Sequence, residues 1–345
     1  MLTFVGYKPV RNSSWMQNPT MRRAVSIFVT LLSIVLVLGS PRADAQSYPS
    51  KPVRMVVGFP PGGGTDILAR IVALKLSEIW GQPVIVENRP GASATIGANL
   101  VAKAAPDGYT LSMGQLTPNA IAPALYPKLP YDAARDFTPI VLVGTSPNVL
   151  VTPSALPAKN VTELVALAKA QPGKLTYASS GPGSLQHIAA ELFKSVAGVD
   201  IVHVPFKGSS QALVDLVSGQ VDMNFDSIPA VIPQIKAGKL RAIAVTAAKR
   251  ASAFPDLPAI AESGYAEYDL TSWWGLFAPA GTPVDIVAKV HRDTLAVLQQ
   301  ADVKERFANL SVEPGGGTSR EFADYLRQEI TKYDKLVKQL NIKIE

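Results

Sequence analysis

The sequence predicts an α/β protein of two parallel-rich βα lobes joined by two crossover strands. Three observations carry this prediction. From Gln46 onward short apolar runs alternate with amphipathic segments. Two long extended stretches, Phe137–Pro153 and Tyr268–Gly281, interrupt the alternation. The 300 residues from Gln46 to Glu345 suit two domains of roughly 100–200 residues each.

Taken in order, "VRMVVGF" (Val53–Phe59) reads as a buried strand. Thr65–Ile79 puts Ile67, Leu68, Ile71, Val72, Leu76 and Ile79 on one face, the period of a helix packed on a sheet. Strand Pro83–Asn88, helix Gly97–Ala105 and strand Tyr109–Gly114 complete a βαβαβ unit, which implies a parallel sheet. Phe137–Pro153 is too long for one ordinary strand. A second series follows: helix Val161–Gln171, strand Leu175–Ser179, helix Ser184–Ala197 and strand Ile201–Phe206. Helix Ser210–Ser218 and strands Val221–Asp226 and Leu240–Thr246 complete it. Two helices, Val284–Gln299 and Ser319–Leu340, end the chain and complete the first lobe. The expected lobes are residues 46–146 with 275–345, and residues 147–274. The cleft between them falls at the carboxyl ends of the strands, where open α/β sheets take ligands.

The segment before Gln46 reads as a leader. Arg22 and Arg23 precede the apolar run "AVSIFVTLLSIVLVLG" (Ala24–Gly39), and Ala43-Asp44-Ala45 supplies a small-residue cleavage pattern. Basic region, apolar region and A-x-A site in that order mark a secretory signal peptide, cleaved after Ala45, with Met21 an alternative start. The apolar run is short for a membrane span. Residues 1–45 hold five of the 33 basic and one of the 27 acidic side chains, so the chain from Gln46 carries 28 against 26. The net charge of +6 shrinks to +2, and no Lys/Arg tract stands out, which argues against nucleic acid as a partner. Without cysteine there is no disulfide framework and no thiolate metal site.

The chemistry concentrates in two glycine-rich loops. "VVGFPPGGGTDILAR" (Val56–Arg70) runs from strand to helix. It lacks the G-K-[ST] of a Walker loop, and Ile67 stands where a dinucleotide fingerprint needs its third glycine. What remains is a tight turn whose free N–H groups, at the positive end of a helix, favour an anion. Thr65 either caps the helix or donates its hydroxyl to the ligand, and Asp66 complements the dipole or reaches the ligand. "YASSGPGSLQHIAAEL" (Tyr177–Leu192) repeats the design in the other lobe, with Ser184 as N-cap and His187 in the first turn. The two loops together form a pair able to close over one acidic molecule.

Other signals are weaker. "VEPGGGTSREF" (Val312–Phe322) repeats a GGGT string, but Ser319 as N-cap accounts for it and Gly315–Gly317 are given no binding role. No serine has the nucleophile-elbow context, and none of His187, His203 and His291 is in a zinc motif. His203 reads as structural, and His291 as lying on a solvated helix face. Strand alternation puts Asp222, Asn224 and Asp226 on one face, so Asp226 points either to the cleft or to a solvated edge. In "VPFKGSSQAL" (Val204–Leu213) Lys207 is an available cation and Gly208–Ser210 a cap. Of Trp273 and Trp274 one faces the core and the other the cleft or hinge.

These segments, with "VENRPGASATIGANLVAKAAPDGYTL", "AGKLRAIAVTAAKR" and "WWGLFAPAGTP", resemble in order the Bug family, the periplasmic solute receptors of tripartite tricarboxylate transporters. The resemblance implies a type II periplasmic-binding-protein (Venus-flytrap) fold, a periplasmic location and no enzymatic activity or cofactor. It also implies a small organic carboxylate as ligand (a di- or tricarboxylate, an amino acid or an aromatic acid) and membrane permease subunits as partners. By resemblance the carboxylate is held by the first loop, Phe59, Pro60, Pro61, Gly62, Gly63, Gly64, Thr65 and Asp66. The second loop contributes Ser179, Ser180, Gly181, Gly183 and Ser184. His187 takes the motif's histidine position and Asp226 a recurrent acidic one. Leu185 and Gln186 depart from the family pattern, and Phe206 stands where tyrosine is common, which removes a hydroxyl contact. Two rival readings are a ligand-loaded sensor that docks on a signalling receptor and an enzyme on the same scaffold.

Overall fold

The computed structural model describes residues 19–38, 48–251 and 254–344. The first described unit is a helix, α1 (Pro19–Leu38), which holds Arg22, Arg23 and most of the apolar run. Among the described residues no helix is long and apolar enough to cross a membrane. The cleavage expected after Ala45 lies outside the described residues.

The second unit, from Tyr48 on, starts with β1 (Val53–Val57), α2 (Gly64–Trp80), β2 (Val84–Asn88), α3 (Thr95–Ala102) and β3 (Thr110–Gln115). A short helix, α4 (Ala122–Leu125), leads to β4 (Phe137–Pro153). Then come α5 (Val161–Ala170), β5 (Thr176–Ser179), α6 (Leu185–Ala197), β6 (Val202–Pro205) and α7 (Ser209–Ser218). These are followed by β7 (Met223–Ser227), α8 (Ile228–Lys236) and β8 (Leu240–Val245). The chain finishes with β9 (Thr271–Pro279), α9 (Val284–Gln299), α10 (Ala301–Asn309), β10 (Glu313–Gly316) and α11 (Ser319–Gln339).

The strands run in the order β2-β1-β3-β9-β4-β7-β5-β6, with β8 and β10 also paired to β4. β1 is parallel to β2 and β3, and β5 is parallel to β6 and β7, as the two βα series require. The long extended stretch is one strand after all. β4 stays continuous because its partners change along its length: β9 and β10 flank it up to Pro147, and β7 and β8 from Asn148 on. Bulges at Pro139/Val141 and Leu142/Gly144 absorb its twist. β4 and β9 lie side by side and antiparallel.

Besides the short α4, three elements escaped the sequence pattern. α8 carries Pro229 and Pro233, residues that normally argue against a helix; Pro229 sits harmlessly in its first turn. α10 is a separate helix, and the GGG segment is strand β10, paired with β4. The cap of α11 is Thr318, not Ser319: Thr318 Oγ1 accepts the Glu321 N–H while Glu321 accepts the Thr318 N–H, a capping box. Ser319 Oγ instead donates to Ile140 O.

Candidate functional site

The first loop leaves β1 at Val57 and enters α2 at Gly64, with Gly62 at φ +87°, a value that favours glycine. Asp66 braces it. One carboxylate oxygen accepts from Gly62 N–H (3.0 Å) and Arg70 Nε (3.0 Å), the other from Asn88 Nδ2 (2.9 Å). Asn88 Nδ2 also reaches Phe59 O (3.0 Å), which ties both ends of the turn together. Burial opposes the charge on Asp66, but the Arg70, Gly62 and Asn88 donors hold its carboxyl below the usual range. Of the two roles expected for Thr65, capping does not occur: Gly63 is the N-cap and no side chain bonds the helix start. Thr65 Oγ1 accepts from Trp274 Nε1 (3.0 Å), which leaves its own hydrogen to donate. The N–H groups of Gly64 and Thr65 have no carbonyl one turn earlier in the helix to accept them.

The second loop uses most of its amides internally. Gly181 N–H donates to Ser179 Oγ (3.1 Å), Gly183 N–H to His187 Nδ1 (3.1 Å), Ser184 N–H to Gly181 O (3.1 Å) and Leu185 N–H to Thr117 Oγ1 (3.3 Å). Ser184 caps α6 by accepting His187 N–H. Behind the loop the rings of Tyr177, His203 and His187 stack, with centroids 4.8 and 4.4 Å apart, and His203 Nε2 lies 2.6 Å from Ser179 Oγ. Glu191, which accepts from Tyr177 Oη, and Lys194 flank the stack.

Burial, reinforced by the neighbouring His187, pushes the His203 imidazole down to about 4; burial also lowers His187. Above pH about 6.5 His203 is neutral both folded and unfolded. As pH falls from about 6.5 towards 4, the unfolded chain binds a proton that the folded one refuses, so stability drops through that window. Melting temperatures between pH 7.5 and 4.5 should fall, and His203→Gln should flatten the slope. An unchanged slope in the variant would count against this role.

Both loops meet at one cavity of about 40 Å³. From the first loop Phe59, Pro60, Gly63, Gly64 and Thr65 line it; from the second, Ser180, Leu185 and Gln186 do. Ser209 enters from the start of α7 and Ser227 from the start of α8, so four helix N-termini converge there. Gln115 and Thr117 close one side; Asn148, Ser272 and Trp274 come from β4 and β9. Each loop also touches a neighbouring turn: a Cβ on Gly208, before α7, would lie 2.6 Å from Pro60 Cδ, and Ser93 Oγ, before α3, donates to Pro182 O (2.6 Å). Pro61, Gly62, Asp66, Ser179, Gly181, Gly183, Ser184, His187 and Phe206 stand outside the lining; the half-buried Phe206 donates its N–H to Ser179 O (3.0 Å).

Asp226 lines the cavity and is 1% exposed, because β7 lies between β4 and β5. The alternative of a solvated edge is thereby overturned. Burial pushes its carboxyl up, against the pull of four donors: Ser209 Oγ, Ser227 N–H (2.7 Å), Gln186 Nε2 (3.1 Å) and Asn224 Nδ2 (3.1 Å). Among the described lining residues it is the one ionisable side chain; Lys207 is exposed and outside the lining. His291 Nε2 lies against Gly317 O (2.8 Å), remote in sequence from both loops. Trp273 is the core tryptophan and Trp274 the cavity one. Sequence reading gave no binding role to Gln115, Thr117, Asn148, Ser209 or Ser272. Only Ser209 had a signal, the strand–Gly–Ser–helix turn of "VPFKGSSQAL".

A cavity between two βα arrays, walled by helix N-termini and hydrogen-bonding side chains, is the site of a solute-binding protein. The family model described as "Tripartite tricarboxylate transporter family receptor" (TctC) matches residues 68–342, and the chain belongs to that family. It is 38% identical over 303 residues to "Protein BugT" of Bordetella pertussis, covering 88% of this chain and 93% of BugT. Two solved structures from Rhodopseudomonas palustris are similar. "Rpa4515 with adipate" has a TM-score of 0.84 and 38% identity, over 86% of this chain and 99% of that one. "MatC (Rpa3494) … with bound malate" has 0.80 and 35%, over 84% and 100%. The chain is thus a bilobal α/β solute-binding protein of the TctC family, with the fold of periplasmic binding proteins, and not an enzyme.

Proposed function

We propose that this protein captures a small organic carboxylate between two lobes in the periplasm and delivers it to the permease subunits of a tripartite tricarboxylate transporter. The observation that carries the reading is the convergence of four helix N-termini on one cavity whose described lining residues include no Lys or Arg. Their partial positive charges, with the Gly64 and Thr65 N–H groups at the start of α2, suit a carboxylate. We place the carboxylate against Gly63, Gly64 and Thr65, with Phe59, Pro60 and Ser180 around it. Asp66, Gly62 and Pro61 shape the first loop; Ser179, Gly181, Gly183, Ser184 and His187 shape the second. The lobes proposed are residues 46–146 with 275–345, and 147–274. The change of β4 partners at Pro147/Asn148 and the onset of β3–β9 pairing at Trp274 support both boundaries. Ligand contacts made from both sides favour the closed form, which is how capture is achieved. Relatives with adipate and malate support the ligand class. An exported form cleaved after Ala45 completes the reading. Screening mono-, di- and tricarboxylates by thermal shift and calorimetry tests it: at least one should raise the melting temperature and bind. A folded protein that binds none would refute it.

A further inference from the structure

Resting on the carboxylate reading, we infer that the ligand carries, besides its bound carboxylate, a hydrogen-bond donor, a hydroxyl or an ammonium group. The inference comes from which way the hydroxyl hydrogens of the cavity wall are already committed.

Asp226 is met by three N–H donors, from Gln186, Asn224 and Ser227. Burial pushes the carboxyl up, but both of its oxygens already accept from these N–H groups, the arrangement of a carboxylate, which only accepts. The Ser209 hydroxyl therefore donates to it, as its fourth partner. With about four lone-pair sites taken, the carboxylate has no acceptor capacity left for a ligand, and Ser209 shows the cavity only its oxygen lone pairs.

The same logic fixes Ser272. Asn148 Nδ2 donates to Phe225 O (2.7 Å), a carbonyl that can only accept. Asn148 Oδ1 is thus the acceptor of the Ser272 hydroxyl (2.8 Å), and Ser272 likewise offers the cavity an acceptor. The first loop contributes donors: the Gly64 and Thr65 N–H groups, and the Thr65 hydroxyl that already accepts from Trp274. Thr117, whose oxygen accepts Leu185 N–H, also has its hydrogen free.

A carboxylate is an acceptor at every lone pair, so it satisfies these donors and leaves Ser209 and Ser272 unpaired. Ser209 lies beside the carboxylate position: a Cβ on Gly63 would be 3.9 Å from Ser209 Cβ. A second, donor-bearing group on the ligand satisfies it.

Calorimetry on matched ligands tests this: succinate, malate and aspartate; glutarate, 2-hydroxyglutarate and glutamate; adipate and 2-hydroxyadipate. In at least one set the hydroxylated or aminated member should bind tenfold or more tighter than the plain diacid. The two arms separate hydroxyl from ammonium. Ser209→Ala with Ser272→Ala should bring that ratio near one, whereas a purely structural effect would weaken both members alike. Asp226→Asn, which frees the Ser209 hydrogen to donate, should also erode the preference. Plain diacids binding as well or better in every set that binds, or a ratio unchanged in the double variant, would overturn the inference while leaving carboxylate capture intact. If no compound in any set binds, the inference falls, and carboxylate capture falls with it only if the mono- and tricarboxylates of the wider screen also fail to bind.

Discussion

Gly63→Val is expected to abolish carboxylate binding while leaving the empty protein almost as stable as before. Gly63 sits at φ −80°, ψ 165°, an extended conformation open to any residue, so nothing in the backbone demands glycine. A Cβ there would meet nothing nearer than Pro60 O and Ser209 Cβ, both at 3.9 Å. The added methyl groups would enter the cavity beside the α2 N–H groups. Losing two charge-assisted hydrogen bonds, each worth about 1.5–3 kcal/mol, means an affinity loss of about a hundredfold or more. The apo melting temperature should move by less than about 3 °C, what about 1 kcal/mol produces in domains of 150–250 residues. Calorimetry with any bound carboxylate and a melting curve without ligand separate the outcomes. A large loss of apo stability would make the loop structural.

Trp273→Ala should do the reverse. Trp273 is fully buried and packs edge-on against Phe322 and Tyr325, and its Nε1 donates to Glu329 (3.1 Å). Truncating a buried tryptophan costs about 3–5 kcal/mol, and the Glu329 acceptor, itself 8% exposed, is left unpaired. A fall of about 6–20 °C in melting temperature follows, with ligand affinity of the folded fraction little changed. Its neighbour Trp274 lines the cavity instead. Trp274→Phe should alter affinity more than stability, because it releases the Thr65 hydroxyl. Equal melting curves for wild type and Trp273→Ala would contradict the core assignment.

Much of the fold was legible because burial leaves a period in the chain. Apolar spacing located α2, α5, α6 and α9 to within a residue or two, and even the ends of β4. Where the pattern failed, a local rule was overridden by packing. Prolines did not prevent α8, and the short polar run at Glu313–Gly316 became a strand because β4 offered it an edge.

The site was legible in part. Glycine, small residues and a following helix mark an anion loop, because only a tight turn exposes several amides together. Such a string cannot say where those amides are spent. The first loop keeps its α2 N–H groups for the cavity because Asp66 and Asn88 hold the turn from outside. The second gives most of its amides to Ser179, His187 and Thr117, and meets the cavity through Ser180 and Gln186.

By itself the sequence determined the class: two βα series, two crossovers and a pair of glycine loops. Those are consequences of local propensity and periodicity, which each segment carries with it. Only the tertiary structure decided that Asn148 and Ser272, 124 residues apart, share a hydrogen bond at the cavity wall. It also decided that Asp226 is spent on four donors inside the protein. Hydrogen-bond direction is a property of the whole set of partners, and those partners come together only when β4, β7, β9 and the starts of α6, α7 and α8 are packed.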